Sequence, residues 1–286
     1  MSSNPQHFVK TVIKLAQNML TTCCHATSSI TPHGRGVGRA KKINSFRDEC
    51  RDTEYQRGGR PPKDDRLMLE AMLWRVRTGA PWRDLPPMFG PWPSVYTRFR
   101  RWSAQGLWSH LLRHFARDAD IEQLCVDATI VRAHQHAAGG VGGYFAQALG
   151  RSRGGLTTKI HTLCDALGYP LFCLLTGGER HESTQTSALL RQAPAGFGSL
   201  LADTGYDSDA FREGVMQQGG TATIPANPSR AQKPPFDKHL YSARHLIENL
   251  FCKLKHNRAV ATRYDKLQRH YLASVHLACV RLWLFH

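Results

Sequence analysis

No C-x-x-C pair occurs in this 286-residue sequence, although it holds eight cysteines. Cys23, Cys24, Cys50, Cys125, Cys164, Cys173, Cys252 and Cys279 are scattered, which argues against a zinc knuckle or a disulfide framework. Several interrupt apolar runs, as in LCVDATIV and PLFCLL, where a reduced buried thiol fits. A leader-type apolar region is also missing, since HFVKTVIKLAQNML is broken by lysines and polar residues. The apolar run YLASVHLACVRLWLFH is too short to span a bilayer and contains His276 and Arg281, so it reads as a packing helix. No low-complexity tract is present. Acids are scarce: 22 Asp+Glu stand against 38 Lys+Arg, a net charge of +16. Such an excess favours a polyanionic partner, nucleic acid first, and is also compatible with a ribosomal or merely basic soluble protein. A cytoplasmic, nucleoid-associated protein without a membrane partner is the expectation.

A composition of 41% hydrophobic and 21% charged residues suits a globular chain of about two domains. Residues 1–56 read as a loosely ordered opening segment with one helix near 7–20 and the basic stretch HGRGVGRAKK. Residues 57–118 read as a small helical domain. There GRPPKDDR places a basic arm, with Arg60 and Lys63, before a helix that Asp64 or Asp65 can cap and Gly79 ends. Leu67, Met68, Ala71, Met72 and Val76 supply its apolar side. After the turn-rich APWRDLPPMFGPWP, a helix from about Ser94 exposes Arg98, Arg100 and Arg101 while Val95, Phe99 and Trp102 pack inward. Helix, Pro/Gly turn and Arg-rich helix suit a helix-turn-helix module, as they also suit a helical domain with a cationic surface.

Residues 119–286 change to strands. QLCVDATIVRA is one; LTTKIHTLCDALGYPLFCLLTGG gives two more around a turn at Leu167–Pro170. A helix near 184–192, the apolar run of GSLLADTGYDSD, the short strand TATIPA and a final amphipathic region follow. Three strands, helix, strand, helix, strand, helix is the order of a ribonuclease-H-like mixed sheet, an α/β fold. Asp127 interrupts the first apolar run and Asp203 ends another. Buried carboxylates are unfavourable unless paired with a cation or metal. With Glu248 on a later helix, the two can converge on one sheet edge, where three like charges call for hard divalent cations such as Mg²⁺. Taken singly, Asp203 also reads as a turn residue of DTGYD, and Asp127 as the partner of a buried Arg.

In Tyr241–His256, YSARHLIENLFCKLKH, the apolar stripe is Leu246, Ile247, Leu250, Phe251 and Leu254. Opposite it Tyr241, Arg244, Glu248 and Lys255 fall within an arc of roughly 60° on an ideal helix. Taken alone, this face reads as a solvated surface of helix ion pairs.

Those four residues meet the pattern Y-x2-R-x3-E-x6-K, in which the chain resembles the insertion-sequence-five family of DDE-class transposases. VDATIVRAHQHAAG, GRSRGGLTTKIH, LLADTGYDSD, RHLIENLFCKLK and ATRYDK resemble that family's blocks. GRPPKDDR and RTGAPWRDLPPMFGPWPSVYTRFRRW resemble its N-terminal DNA-binding domain. The likeness covers about residues 57–284, while residues 1–56 depart from the family's opening helical segment. It implies that Asp127, Asp203 and Glu248 hold two Mg²⁺ ions, for which Mn²⁺ substitutes. It further implies that Arg244 and Lys255 contact DNA near the scissile phosphate and that Tyr241 places the transposon end. The implied partners are double-stranded terminal inverted repeats and target DNA, with a homodimer in the synaptic complex. An inactive relative acting as a DNA-binding repressor, or a nuclease of the same fold, shares most of these features. His134 and His136 have the spacing of metal ligands, but no third ligand joins them, so a DNA-facing or structural role is expected. GRSRGGLTTK reads equally as a phosphate-approaching loop or a plain hairpin.

Overall fold

The computed structural model describes residues 64–152 and 154–285; Arg60, Lys63, Arg153 and the whole 1–56 segment lie outside them. Helix α1, Asp65–Thr78, starts where the Asp64 carboxylate accepts the Arg66 N–H at 2.9 Å. It stops at Gly79, whose φ of 70° only glycine adopts freely. A Cβ there would also lie 2.9 Å from that of Arg258. Two 3-10 turns lead to α2, Trp92–Ala104, and α3, Leu107–Phe115. As the apolar spacing predicts, α2 buries Val95, Phe99 and Trp102.

The long strand β1, Gln123–Ala133, is followed by the hairpin of β2, Gly150–Ser152, and β3, Gly155–Cys164. GRSRGG therefore runs from β2 into β3, with its Arg153 outside the described residues. β4, Pro170–Gly177, pairs antiparallel with β3. The turn between them carries Gly168 at a φ of 78° and Asp165 accepting the N–H groups of Leu167 and Tyr169. Helix α4, Thr186–Leu190, strand β5, Ser199–Ala202, helix α5, Asp209–Gln217, and strand β6, Thr221–Thr223, come next. β1 lies centrally, antiparallel to β3 and parallel to β5, and β6 extends the parallel side. The result is the ribonuclease-H-like mixed sheet that the element order predicts. The short strands β2 and β7, Thr262–Arg263, were not anticipated from the sequence.

Tyr241–His256 is helical but not one α-helix. Lys238–Tyr241 forms an α turn, Ser242–Arg244 a 3-10 turn, and only α6, His245–Lys255, is a regular helix. The ideal-helix arc therefore holds for Glu248 and Lys255 alone. Along α6, Ile247, Leu250, Phe251 and Leu254 are buried and Leu246 half-buried.

The last helix, α7, Gln268–Phe285, has almost no solvated side: Tyr271, Val275, Leu277, Ala278 and Cys279 are buried with its His270, Ser274 and His276. It packs on β4 and on α1, α2 and α3, so one apolar cluster runs from Met68 to Trp283. The expected boundary at 118/119 falls on a short connection over this shared core. Cys173 and Cys279 meet inside it as free thiols, and the five described cysteines are all unbridged. Between α1 and the start of α7, the buried Arg75 donates to Asp265 at 3.3 Å and to Ser274 at 3.2 Å. Asp265→Ala would leave that guanidinium buried without its anion, which is expected to destabilise the protein by about 3–5 kcal/mol. Because helices and sheet share a core, urea unfolding should remain a single transition at lower midpoint. A loss below about 0.5 kcal/mol would mean that the pair is effectively solvated.

Candidate active site

β1 and β5 run parallel with Val126 beside Ala202. One residue further along each strand stand Asp127 and Asp203, so the register alone sets the two carboxylates side by side at the end of β5. Asp203 leaves the sheet there and caps the following 3-10 turn, its Oδ1 accepting the Thr204 N–H at 2.6 Å. Asp127 remains within β1, its Oδ1 accepting the Ala128 N–H at 2.8 Å.

The third acid arrives with α6. Arg244, in the 3-10 turn just before that helix, donates from Nη1 to Asp127 Oδ2 at 3.0 Å and from Nη2 to Glu248 Oε1 at 2.7 Å. One guanidinium thus bridges the strand acid and the helix acid. Eleven residues on, Lys255 Nζ donates to Thr129 Oγ1 at 2.7 Å and to the Ile130 carbonyl at 3.3 Å. Thr129 lies two residues beyond Asp127 and projects to the same side of the sheet. The Tyr241 ring lies 5.8 Å from the Arg244 guanidinium carbon. The structure therefore links Asp127, Glu248 and Tyr241 through Arg244, places Asp203 next to Asp127 by register, and holds Lys255 two residues further along β1.

The acids act on one another. Burial is the main cause that raises the Asp127 carboxyl above its ordinary range, and Asp203 and Glu248 add to it; the Ala128 N–H and Arg244 oppose it. Only 16% of the Asp127 side chain is exposed, against 57% of Glu248. Burial works against the Arg244 charge, but Asp127, Tyr241, Asp203 and Glu248 outweigh it and raise its pKa. Burial likewise raises Tyr241, with Arg244 opposing and the three acids reinforcing.

Three oxygen-donor acids sharing one potential suit a hard divalent cation. Among the described residues, however, no three acidic, histidine or cysteine groups lie close enough to grip one ion together. Between Asp127 and Glu248 the position is held by Arg244. Asp127, Asp203 and Glu248 supply the oxygen donors that such an ion takes, with the Arg244 guanidinium standing between two of them.

Two groups were missed from the sequence. Tyr206 is fully buried, and its hydroxyl meets no protein partner. Burial pushes its pKa well up, and Asp127, Glu182 and Asp203 push it further. Glu182, ion-paired to Lys159 at 2.7 Å, is therefore close by. An aromatic inside the turn formers of DTGYD was the available signal. The second acid of that block, Asp207, is structural: Arg212 and Arg230 hold it at 2.7 and 3.1 Å.

On α2, Arg100 and Arg101 are exposed as expected, but Arg98 is not. Its guanidinium is paired with Asp65 in the first turn of α1 and lies over the Trp102 ring at 5.6 Å. Burial, then Arg101, lowers its pKa.

Because the folded state favours protonated Asp127, the stability this carboxyl contributes is present below the usual carboxylate pKa. It is lost as pH rises through the raised folded-state value. Asp127→Asn, which cannot ionise, should therefore melt above wild type in chelator at about pH 7.5, the gap closing towards about pH 3.5. Melting below wild type at neutral pH would show that attraction to Arg244 outweighs burial.

Residues 46–112 match the family described as "Putative transposase of IS4/5 family", and residues 118–283 match "Transposase DDE domain". A putative transposase for insertion sequence element IS6501 from Brucella ovis is 40% identical over 130 residues, 45% of this chain and 99% of that protein. Uncharacterized protein y4sN of Sinorhizobium fredii is 44% identical over 103 residues, 32% of this chain and 82% of that one. Among solved structures, a piggyBac transposase synaptic complex with hairpin DNA resembles it at a TM-score of 0.48 and 10% identity, covering 81% of this chain and 68% of that one. A Mos1 mariner paired end complex with Mn does so at 0.27 and 13%, covering 90% and 99%. From the match to more than half of its length, the chain belongs to the DDE transposases, metal-dependent enzymes of DNA cleavage and strand transfer.

Proposed function

We propose that the protein binds the terminal inverted repeats of an insertion sequence, cleaves DNA at its ends and joins the freed 3′-hydroxyl to target DNA. The chemistry is phosphodiester transesterification with Mg²⁺, two ions per site, for which Mn²⁺ substitutes. The observation that supports the reading is Arg244 bonded to both Asp127 and Glu248, with Asp203 next to Asp127 by strand register and Lys255 held on Thr129 of the same strand. Bound there, a pair of divalent cations would activate the attacking oxygen and stabilise the leaving one.

The chain's own residues do the rest. Asp127 and Asp203 present oxygens from neighbouring strand ends, and Glu248 closes the set from the helix. Arg244 turns its planar fork from the carboxylates to a phosphate, whose oxygens accept the same two N–H groups. Lys255, already held over β1 by Thr129, supplies a point charge for the same backbone. Tyr241, beside Arg244, orients the DNA end. The exposed Arg100 and Arg101, with Arg60 and Lys63, form the proposed duplex contacts of the helical region, and two copies bring two ends together. No helix of the described residues is long and apolar enough to cross a membrane.

With a labelled terminal repeat in Mg²⁺, Asp127→Asn, Asp203→Asn and Glu248→Gln should each lose cleavage by at least about a hundredfold while still binding the end. A loss under about tenfold would remove that residue from the site. Binding without any wild-type nicking would return the protein to a repressor-like role. Arg244→Ala and Lys255→Ala should keep the melting temperature within a few degrees yet cut cleavage roughly tenfold to a thousandfold. Surface ion pairs alone would change stability by about 0.3–0.5 kcal/mol and leave cleavage intact. Arg100→Ala or Arg101→Ala should weaken end binding and lower its salt slope by about one; gel shifts at several salt concentrations read this, and an unchanged slope removes them from the interface.

A further inference from the structure

Beyond Asp127, the same strand builds a second feature. Parallel pairing of β1 with β7 sets Arg132 beside Thr262 and Ala133 beside Arg263. Ile130, Arg132 and His134 therefore alternate onto the face opposite Asp127 and Thr129, and Tyr264 follows Arg263 onto that same face. There the His134 and Tyr264 rings stack at 4.7 Å and 22°, with the His136 ring 4.6 Å from His134. Half of Tyr264 and 48% of Ile130 are solvent-exposed, and Arg132 and His136 are exposed too.

This stack stands on a rigid base. The His134 N–H donates to the Arg263 carbonyl at 2.9 Å, and its Nδ1 accepts the His136 N–H at 3.2 Å. Arg263, wholly buried, donates to Thr158 Oγ1 at 2.7 Å and to the Ala148 carbonyl at 3.2 Å. The rings are thus displayed by fixed backbone, and the exposed cations Arg132 and Lys266 lie two residues along the chain from His134 and Tyr264.

What would cover such a surface follows from its chemistry. Two histidines lack a third metal ligand among the described residues. A second copy of a chain carrying a net charge of +16 would set cations against cations, and residues 1–63 are themselves basic. A half-exposed tyrosine ring, backed by a stacked histidine and with cations nearby in the chain, suits bases and phosphates. Bases inside a duplex are already stacked on one another, so the face they could offer is not available. We infer that the Tyr264–His134 stack is a base-stacking site for single-stranded DNA, such as the strand freed at a cut end. The inference rests on the DNA-cleaving reading above. From Asp127 the platform is seven residues along β1, about 23 Å at the usual rise of a strand.

The test is fluorescence anisotropy in chelator with a labelled single strand and the duplex of the same sequence, on the full chain. Tyr264→Ala should weaken single-strand binding roughly fivefold to a hundredfold and leave duplex affinity within about twofold. His134→Ala should weaken the single strand in the same sense. Tyr264→Phe, which keeps the ring, should bind both as wild type, and melting temperatures identify any variant that has merely unfolded. Unchanged single-strand affinity in both alanine variants, a loss in Tyr264→Phe equal to that in Tyr264→Ala, or equal weakening for both DNA forms would overturn the inference. Wild type that binds neither DNA would fell the DNA-cleaving reading itself, and this inference with it.

Discussion

The Arg244 guanidinium, bonded at once to Asp127 and Glu248, is the interaction on which the site depends. Two strand carboxylates and a helix carboxylate at one sheet edge repel one another, and burial of Asp127 makes ionisation harder still. Without a cation between them, Asp127 would take up a proton more readily still. Arg244 meets that requirement with the two-pronged geometry that a phosphate also accepts. On the proposed function, a group that satisfies the acids in one state and a DNA phosphate in another would couple substrate to the acids through a single side chain.

That coupling works only if β1 and α6 stay in register. Their mutual position is set at two points, Arg244 on Asp127 and Lys255 on Thr129, over the buried side chains Ile247, Leu250 and Leu254. Behind them α7 is enclosed by β4 on one side and α1 to α3 on the other. Its Tyr271 hydroxyl donates to the Val260 carbonyl at 2.7 Å, and Trp283 Nε1 to the Pro170 carbonyl at 2.9 Å. The helices that display Arg100 and Arg101 are therefore fixed to the body that carries the acids.

Some of this was legible in the sequence because buried acids are conspicuous. Asp127 in QLCVDATIVRA and Asp203 after an apolar run stand out against their surroundings, and parallel register then brings them together. The apolar stripe of α6 was visible at helical spacing. Its companion face was only partly readable, since the 3-10 turn at Ser242–Arg244 rotates Tyr241 and Arg244 relative to Glu248. Arg98 misled because its partner, Asp65, lies 33 residues away, beyond any local pattern. Tyr206 was hidden by the turn composition around it. The strands β2 and β7 owe their pairing to neighbours rather than to their own composition.

The most direct test of the role of Arg244 is anomalous scattering from the full chain co-crystallised with a transposon-end duplex and Mn²⁺. Anomalous density is expected among Asp127, Asp203 and Glu248, with the Arg244 guanidinium withdrawn from the acids onto a DNA phosphate. Arg244 still bridging Asp127 and Glu248, with Mn²⁺ held elsewhere, would contradict it.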